Sequence, residues 1–488
     1  MKTKTSTPKA RKQSRRKSSF SRSSVPKGHR AKQTPPPKQA TSAPGNIDWD
    51  QVKAKGPPLG GAFKQKAIFP QDSILEDYFA YATQQKESAD VYIIGSILAV
   101  CAALLARRFY LQWGDDKVYP NLFTMLAGKA GDRKTDAVRL ARLIARECLP
   151  PEAFLPKAFS PESLFDEYYP AAGGRPDKLW LVDDANATLT DWNKSANGER
   201  TAPRFLELYD CEPMSESFMR NKSKKNPQPR RFVPETSTSI VFGATFNVAC
   251  FQGQAIRAGM ARRFIFYVSE GHGRVVIRPT VGDITNLVSL FDRLKLVAGP
   301  IDFSPAAYQF WEDYQKKNRA LIDSTAPLHE AELCRLSSAP MQTLHIAMIF
   351  QAARAAKANL NNSGVLEIES LELAAKHMEE CLKAAFYLES IANRAQIASD
   401  AQILIERIRH DFMPQLLPGT QKKCNAIYLS RTDLTAAYAH HSRRANTWKP
   451  DDLYLRMIPH LEALGLATLA FKKGKFELYA FKATDFEP

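Results

Sequence analysis

Short apolar runs recur along residues 119–300, and their lengths are typical of buried strands. The first is bounded by Pro120 and Gly128. From Asp136 onward the pattern changes to helical spacing, with apolar residues on one face and arginines on another. Strands that alternate with helices indicate an open α/β sheet. The four runs predicted as strands are residues 121–127, 178–184, 236–245 and 264–267.

The pattern differs on both sides of this core. Residues 48–118 show helical periodicity and predict a helical platform. Within it, the run Val91 to Ala106 predicts a buried helix, because it is shorter than the roughly 18 to 20 residues of a bilayer span. Residues 301–413 predict an all-helical subdomain. Residues 414–488 predict two short helices, from Leu429 and from Lys449, and then two strands, the layout of a winged helix-turn-helix.

Composition separates a basic tail from the body of the chain. The 488 residues are 44% hydrophobic, which is enough for two or three domains with sizeable cores. The formal net charge is +17, and 13 lysines and arginines without an acid lie in residues 1–40, which leaves +4 for the rest. We predict a disordered basic tail over residues 1–47. A nucleic-acid tether, a nuclear-import signal and simple solubilisation all agree with its composition.

Cysteine and histidine usage narrows the class of protein further. The seven cysteines are scattered singly, which favours a reducing compartment and argues against a disulfide framework or a zinc site. None of the nine histidines has metal-ligand spacing. The N-terminus is polar and does not resemble a signal peptide. We therefore predict a cytoplasmic protein without a membrane partner.

The stretch GKAGDRKT lies between the first predicted strand and the helix that follows it. It is a near match to the phosphate-binding pattern G-x-x-x-x-G-K-[ST], except that Arg133 replaces the last glycine. Free amides and the positive end of the helix dipole favour an anion at such a turn. A solvated basic turn is the alternative. The candidate nucleotide-binding residues are Gly128, Gly131, Asp132, Arg133, Lys134 and Thr135.

Polar residues flank the other predicted strands. Asp183 and Asp184 end the second strand, where a hydrated Mg²⁺ and an attacking water would lie, although such acids also cap helices. Asn247 follows the third strand. Arg262 and Arg263 precede the fourth, and an arginine given to a neighbouring subunit accelerates phosphoryl transfer. Capping of the strand or pairing with a local acid is the alternative for these arginines.

Two basic regions predict contacts with DNA phosphates. One is a hairpin tip within residues 217–233, for which a merely solvated loop is the alternative. The other is the winged helix, although such modules also dock proteins. Candidate residues are Arg220, Lys222, Lys224, Lys225, Arg230 and Arg231 in the hairpin and Arg443, Arg444, Lys449, Arg456, Lys472, Lys473 and Lys475 in the winged helix.

The motifs YPNLFTMLAGKAGDRKT, LWLVDDA, SIVFGATFN and GMARRFIFY occur in an order that resembles AAA+ and superfamily 3 helicase-like ATPases. The chain looks similar to the domain-of-unknown-function group of primase-helicase-like proteins from phages, plasmids and integrated elements. The resemblance covers roughly residues 60–400 and implies an α/β P-loop NTPase core with ATP and Mg²⁺ as cofactors. It also implies a homo-oligomeric ring, a hexamer, around single-stranded DNA, with duplex contacts at the winged helix.

The resemblance assigns a role to each candidate residue. Lys134 would hold the β- and γ-phosphates, Thr135 and Asp183 would hold Mg²⁺, Asp184 would position water, Asn247 would act as sensor, and Arg263 or Arg262 would be the trans arginine. Asp184 stands where such proteins have Glu, which implies slow hydrolysis. The leading hypothesis is an ATP-dependent DNA helicase, translocase or replication-initiation ATPase of a mobile element. A nucleotide-binding DNA switch or scaffold with little hydrolysis is the alternative.

Overall fold

The first two helices of the described residues place the most apolar segment of the chain in the core of the protein. In a computed structural model, α1 spans Ile74–Gln85 and α2 spans Asp90–Leu105. Every residue of α2 except Asp90 and Ala103 is buried. Among the helices described, the stretch Asp90–Arg108 is the one whose length and composition would suit a membrane span, but 89% of its apolar window is buried within the protein. It is the buried helix that the sequence predicts.

The described residues belong to one compact unit, Gly45–Pro488. The predicted tail, residues 1–47, lies outside them, and the account below is confined to the residues described. These are residues 63–157, 159, 161–169, 176–194, 204–215, 231–246, 259–271, 273–277, 284–324, 330–361, 364–412, 426–430, 434–435, 453–454, 458–463, 467–473 and 476–482.

The predicted helical platform ends in a hairpin that the sequence analysis did not predict. Strand β1 spans Phe109–Trp113 and pairs antiparallel with β2, Asp116–Val118. Gly114 occupies the turn with a φ of +60°, the left-handed region that glycine adopts without steric cost. The alternation of buried and exposed residues along β1 is that of a strand with one face on the core.

A parallel sheet forms the core that follows. Its strands are β3 (Phe123–Gly128), β4 (Asp177–Val182), β7 (Ser237–Ala244) and β8 (Phe264–Ser269), in the spatial order β4-β7-β3-β8. All three neighbouring pairs are parallel. The mixed α/β class and the parallel sheet are as predicted. The intervening elements are α3 (Lys134–Cys148), α4 (Pro161–Tyr168), α5 (Asn186–Lys194), β5 (Met214–Ser215) and β6 (Phe232–Val233).

Both faces of this sheet are covered, which explains why its strands are apolar without alternation. Leu126, Val241 and Ile265 join the cluster of α2 and α3 on one face. Their neighbours along the strands, such as Met125 and Phe242, join a second cluster rich in aromatic side chains. Successive side chains of a strand point to opposite faces, so each strand serves both clusters.

Residues 285–412, as far as they are described, are mainly helical but also complete a second sheet. The helices are long, and the last two pack against each other. Strands β9 and β10 pair in parallel, and β9 also pairs in parallel with β1, which gives the order β10-β9-β1-β2. The elements are α6 (Thr285–Leu294), β9 (Gly299–Phe303), α7 (Pro305–Ser324), α8 (Glu330–Lys357), β10 (Val365–Leu366) and α9 (Ile368–Phe412).

The free side of β8 is covered by the segment 63–69. Lys64 forms an antiparallel bridge with Ser269. The side chain of Gln65 accepts the N–H of Val268 at 2.8 Å and donates to the carbonyl of Phe266 at 3.4 Å. One amide side chain thereby satisfies a backbone N–H and a backbone carbonyl on this edge strand.

The C-terminal region forms a small antiparallel sheet. Its strands are β11 (Ala426–Ser430), β12 (Ala467–Lys473) and β13 (Phe476–Lys482), in the order β11-β13-β12. A short helix, α10 (Ile458–Ala463), precedes β12. The two strands that the sequence predicts are present. Strand β11 occupies Leu429 and Ser430, where a helix was predicted to begin.

Candidate functional site

The turn between β3 and α3 depends on two residues with positive φ. Gly131 has a φ of +92° and Arg133 a φ of +57°. Arg133 therefore keeps the backbone conformation that favours glycine, at the position where the phosphate-binding pattern has one. Its carbonyl accepts the hydroxyl of Ser88 at 2.7 Å, and its guanidinium lies 3.3 Å from the carboxylate of Glu87. The turn between α1 and α2 thus supports the strained residue.

Lys134, the first residue of α3, folds back over the loop. Its Nζ donates to the carbonyls of Gly128 at 3.0 Å and Lys129 at 2.7 Å. Burial lowers the pKa of Lys134, and the carboxylates of Asp132 and Asp184 oppose that change. Asp184 is therefore close enough to Lys134 for their charges to interact, although the two residues follow different strands.

Asp132 lies inside the loop and is 5% exposed. Its Oδ2 accepts the backbone N–H of Lys129 at 2.6 Å. The sequence pattern placed Asp132 among the nucleotide-binding residues but gave no sign that its carboxylate would bond to the loop itself. Gly128 is required beneath it, because an added Cβ would lie 2.7 Å from Oδ2 of Asp132 and 2.2 Å from the hydroxyl of Tyr92.

Tyr92 of α2 joins the ends of the two strands beside the loop. Its hydroxyl donates to the carbonyl of Ala127 at 2.7 Å and accepts the N–H of Ser269 at 3.2 Å. Burial raises the pKa of this phenol well above its usual value, so it stays a neutral donor. Sequence analysis missed Tyr92, because it lies in an otherwise apolar helix.

The predicted carboxylates lie at the same edge of the sheet. Asp183 follows β4, and its Oδ1 is 3.6 Å from the guanidinium of Arg142 and 3.5 Å from Nζ of Lys157. Burial acts to raise the pKa of Asp183, but its own backbone N–H and these two cations outweigh that effect and hold the pKa below its usual value. The side chain of Asp183 is therefore an ionised carboxylate, 18% exposed, whose oxygens could ligate a metal ion.

Asp184 is exposed and makes the contact of a helix cap. Its Oδ1 accepts the N–H of Asn186 at 3.1 Å, at the start of α5. This is the alternative role that the sequence left open for an acid after a strand. The negative charge of the same carboxylate also acts to raise the pKa of Lys134.

The end of β7 packs against the residues that follow β4. An added Cβ on Gly243 would lie 2.5 Å from the carbonyl oxygen of Asp183, so only glycine fits there. Beyond the strand, Thr245 donates its N–H and its hydroxyl to Oδ1 of Asn186, at 3.0 and 3.1 Å. Neither Thr245 nor Asn186 was singled out by the sequence analysis. Asn247, the predicted sensor, lies outside the described residues.

The two arginines before β8 lie at the opposite edge of the sheet, because β8 runs parallel to β3. Arg263 is 9% exposed, forms an ion pair with Asp210 and lies over the ring of Tyr209. The side chain of Arg262 is exposed, while its carbonyl accepts hydrogen bonds from Ser338 and Gln342. Neither arginine meets the loop of its own chain.

The predicted magnesium ligands agree with a hydrated ion more than with a protein cage. No group of three or more His, Cys, Asp or Glu suited to a metal occurs among the described residues. Thr135 is half-buried in the first turn of α3, and Asp183 supplies one ionised carboxylate. Mg²⁺ commonly keeps several waters and takes one or two protein oxygens together with phosphate oxygens. This donor set suits such an ion.

Most of the predicted DNA-binding residues lie outside the described part of the chain. Of the hairpin set, Arg231 is described, and its guanidinium pairs with Asp166 at 2.7 Å and lies over the rings of Phe165 and Tyr169. Lys472 and Lys473 end β12. Outside the described residues are Arg220, Lys222, Lys224, Lys225, Arg230, Arg443, Arg444, Lys449, Arg456 and Lys475.

The geometry thus places a glycine turn and a lysine at the carboxyl end of β3 and two carboxylates at the carboxyl end of β4, with the parallel strand β7 between them. In open α/β sheets this edge is where ligands bind. No protein-family model matches the chain, and no curated protein is significantly similar to it.

Proposed function

We propose that the chain is a P-loop ATPase of the AAA+ or superfamily 3 helicase type that acts on DNA. The observation that carries this proposal is the position of Lys134. It starts a helix that follows the central strand β3, covers the glycine turn, and interacts with the charge of Asp184 from another strand. A lysine so placed can bind the β- and γ-phosphates of a nucleotide.

In this proposal the chain's own residues bind and orient the substrate. Lys134 and the free amides at the start of α3 bind the phosphates. Thr135 and Asp183 would hold Mg²⁺, which when bound would neutralise developing charge on the phosphates. Asp184 orients water. Arg262, whose side chain is exposed, reaches the nucleotide of the next subunit in a homo-oligomeric ring, whereas Arg263 is buried in its ion pair with Asp210.

DNA is the proposed partner. The antiparallel sheet β11-β13-β12 together with α10 supports a winged helix-turn-helix at the C-terminus. The basic residues of the hairpin other than Arg231, which pairs with Asp166, and the tip after β12 would contact phosphates. Replication initiation or translocation on DNA in the cytoplasm, as a function of a mobile element, accounts for an ATPase joined to such modules.

The test is substitution of Lys134 by alanine in the full chain. ATP turnover should fall at least about 10²-fold, because a charge that stabilises the transferring phosphate is lost. Arg139→Ala is the matched control, since Arg139 is an exposed cation of the same helix outside the site. Circular dichroism confirms that both variants fold. Unchanged turnover in the Lys134 variant would remove the ATPase proposal.

A nucleotide-binding switch is the second candidate, and the closed loop favours it. Asp132 and Lys134 already bond to the loop, and Asp184 is engaged in capping α5. Turnover with and without single-stranded DNA separates the two functions. A motor should be stimulated by DNA, whereas a switch should bind nucleotide with little turnover in either condition.

A further inference from the structure

The carboxylate of Asp132 occupies the inner side of the 128–135 loop. It is 5% exposed and accepts the N–H of Lys129 at 2.6 Å. A Cβ added to Gly128 would lie 2.7 Å from Oδ2 of Asp132, so the carboxylate packs directly against this glycine. A carboxylate is thus buried against the first glycine of the loop.

Loops that cradle phosphate do so with their backbone N–H groups. Here the N–H of Lys129 is directed at a carboxylate of the same loop. A phosphate held by this loop as well as by the start of α3 would need the same Lys129 donor, and the phosphate and the carboxylate both carry negative charge. A bound phosphate and Asp132 in its present position therefore exclude each other.

Lys134 contacts the backbone of the same part of the loop, through carbonyl groups. Its Nζ donates to the carbonyl of Lys129 at 2.7 Å and to that of Gly128 at 3.0 Å. Two of the three N–H donors of Lys134 are thus used within the loop, and the third can still reach a phosphate. The Lys129 amide has a single hydrogen, so to offer it to a phosphate the loop must break the contact of Asp132.

We propose that Asp132 is an autoinhibitory residue that sets the nucleotide affinity of this loop, by competing with the phosphate for the Lys129 amide. The inference rests on the proposed nucleotide site and goes beyond it, because it names what closes that site. Nucleotide binding requires the carboxylate to leave the loop, and removal of the carboxylate leaves the amide free for phosphate.

The experiment measures equilibrium binding of Mg-ATP to the full chain by calorimetry, with a fluorescent ATP analogue as a second probe. Asp132→Ala should bind at least about tenfold tighter than the unchanged chain. Asp132→Asn should fall between the two, because it removes the charge but keeps an acceptor oxygen. Asp136→Asn is the matched control: it removes an acid from the first turn of α3 without touching Lys129, and should change affinity by less than about threefold.

The outcomes separate this inference from the proposed function. Binding by the unchanged chain, with loss in Lys134→Ala but no gain in either Asp132 variant, overturns the autoinhibitory role and leaves the nucleotide site intact. An equal gain in Asp136→Asn also overturns it, because charge alone would then explain the effect. Binding by none of the proteins overturns both. Thermal melting identifies a variant that fails to fold, and the isosteric Asn variant then decides the test.

Discussion

Arg133 has a φ of +57°, and a residue with a Cβ pays about 1 to 2 kcal/mol for that conformation. Its ion pair with Glu87 adds little stability, because the two side chains are 53% and 31% exposed and such pairs contribute under about 1 kcal/mol. The strained position is held by the bond from Ser88 to its carbonyl. At the residue scale, Arg133 thus has a backbone conformation that favours glycine but carries a Cβ.

Replacing Arg133 by glycine should therefore stabilise the protein by about 1 kcal/mol, a rise in melting temperature of roughly 2 °C or less for a chain of this size. Differential scanning calorimetry measures the change. Arg133→Ala is the control, since it removes the same ion pair but keeps the Cβ. An alanine variant as stable as the glycine variant would contradict the explanation by backbone strain.

Part of the site can be predicted from local sequence and part cannot. The spacing from Gly128 to Lys134 specifies the turn, because backbone conformation there depends on neighbouring residues. The contacts of Asp183 with Arg142 and Lys157 join residues far apart in the chain, and no local pattern indicates them. Tyr92 was missed for the same reason, since its partners are carbonyl and amide groups of two distant strands.

At the scale of elements, two buried histidines attach long helices to the rest of the protein. His345 of α8 hydrogen-bonds through Nδ1 to the carbonyl of Asn121 at 3.0 Å. His377 of α9 binds the carbonyl of Ile68 through Nδ1 at 2.6 Å and the hydroxyl of Tyr267 through Nε2 at 2.9 Å. Burial lowers the pKa of both imidazoles to about 4, against the opposing effect of these carbonyls.

These histidines should make the protein sensitive to acid. Above pH 6.5 both are neutral whether the chain is folded or unfolded, so they impose no penalty. As pH falls from 6.5 to 4 the unfolded chain binds protons that the folded chain excludes, and each histidine lowers the free energy of unfolding by up to about 3 kcal/mol.

Urea unfolding at pH 7.5 and 4.5 measures this loss. His345→Gln and His377→Gln should each reduce the difference between the two pH values, because glutamine does not titrate. An unchanged difference in both variants would show that other groups control the acid response.

In one long helix, distant contacts override a local rule. Proline disfavours a helix interior, because it lacks a backbone N–H and its ring clashes with the preceding turn. In the structure α8 begins at Glu330 and continues through Pro340. The turn before this proline is held from outside: Arg335 donates to the carbonyl of Ala261 at 3.2 Å, and Ser338 to that of Arg262 at 2.9 Å. Hydrophobic periodicity does not indicate such contacts.

The same limit explains the second sheet. Strands β1 and β9 pair although about 190 residues separate them, and each is only five residues long. A short strand whose partner lies far along the chain carries little periodic signal. The central strands were predictable because their apolar runs are buried on both faces of the sheet.

At the scale of the whole molecule, positive charge is concentrated in the first 40 residues, which hold 13 lysines and arginines without an acid. The remainder carries a net charge of only +4. Binding of basic residues to DNA phosphates releases counterions, so it weakens steeply with salt. The tail should therefore dominate binding that is independent of sequence.

Deleting residues 1–47 should weaken binding to random duplex DNA at least about tenfold at 50 mM salt and flatten the dependence of log K on log salt. Fluorescence anisotropy at several salt concentrations measures both quantities. A tail of the same length with Lys and Arg replaced by Gln is the control for tethering alone. Equal salt dependence of the deleted and complete chains would place the DNA contacts elsewhere.

The side chain of Gln65 sets a practical limit on such shortening. It is the partner of the Val268 amide and the Phe266 carbonyl, and the neighbouring Phe63 stacks on Tyr387 at 4.7 Å. A chain trimmed to residue 70 would leave an open sheet margin, and open margins recruit strands from other molecules. A shortened chain should therefore begin at or before Phe63. A chain that begins later should self-associate through β8.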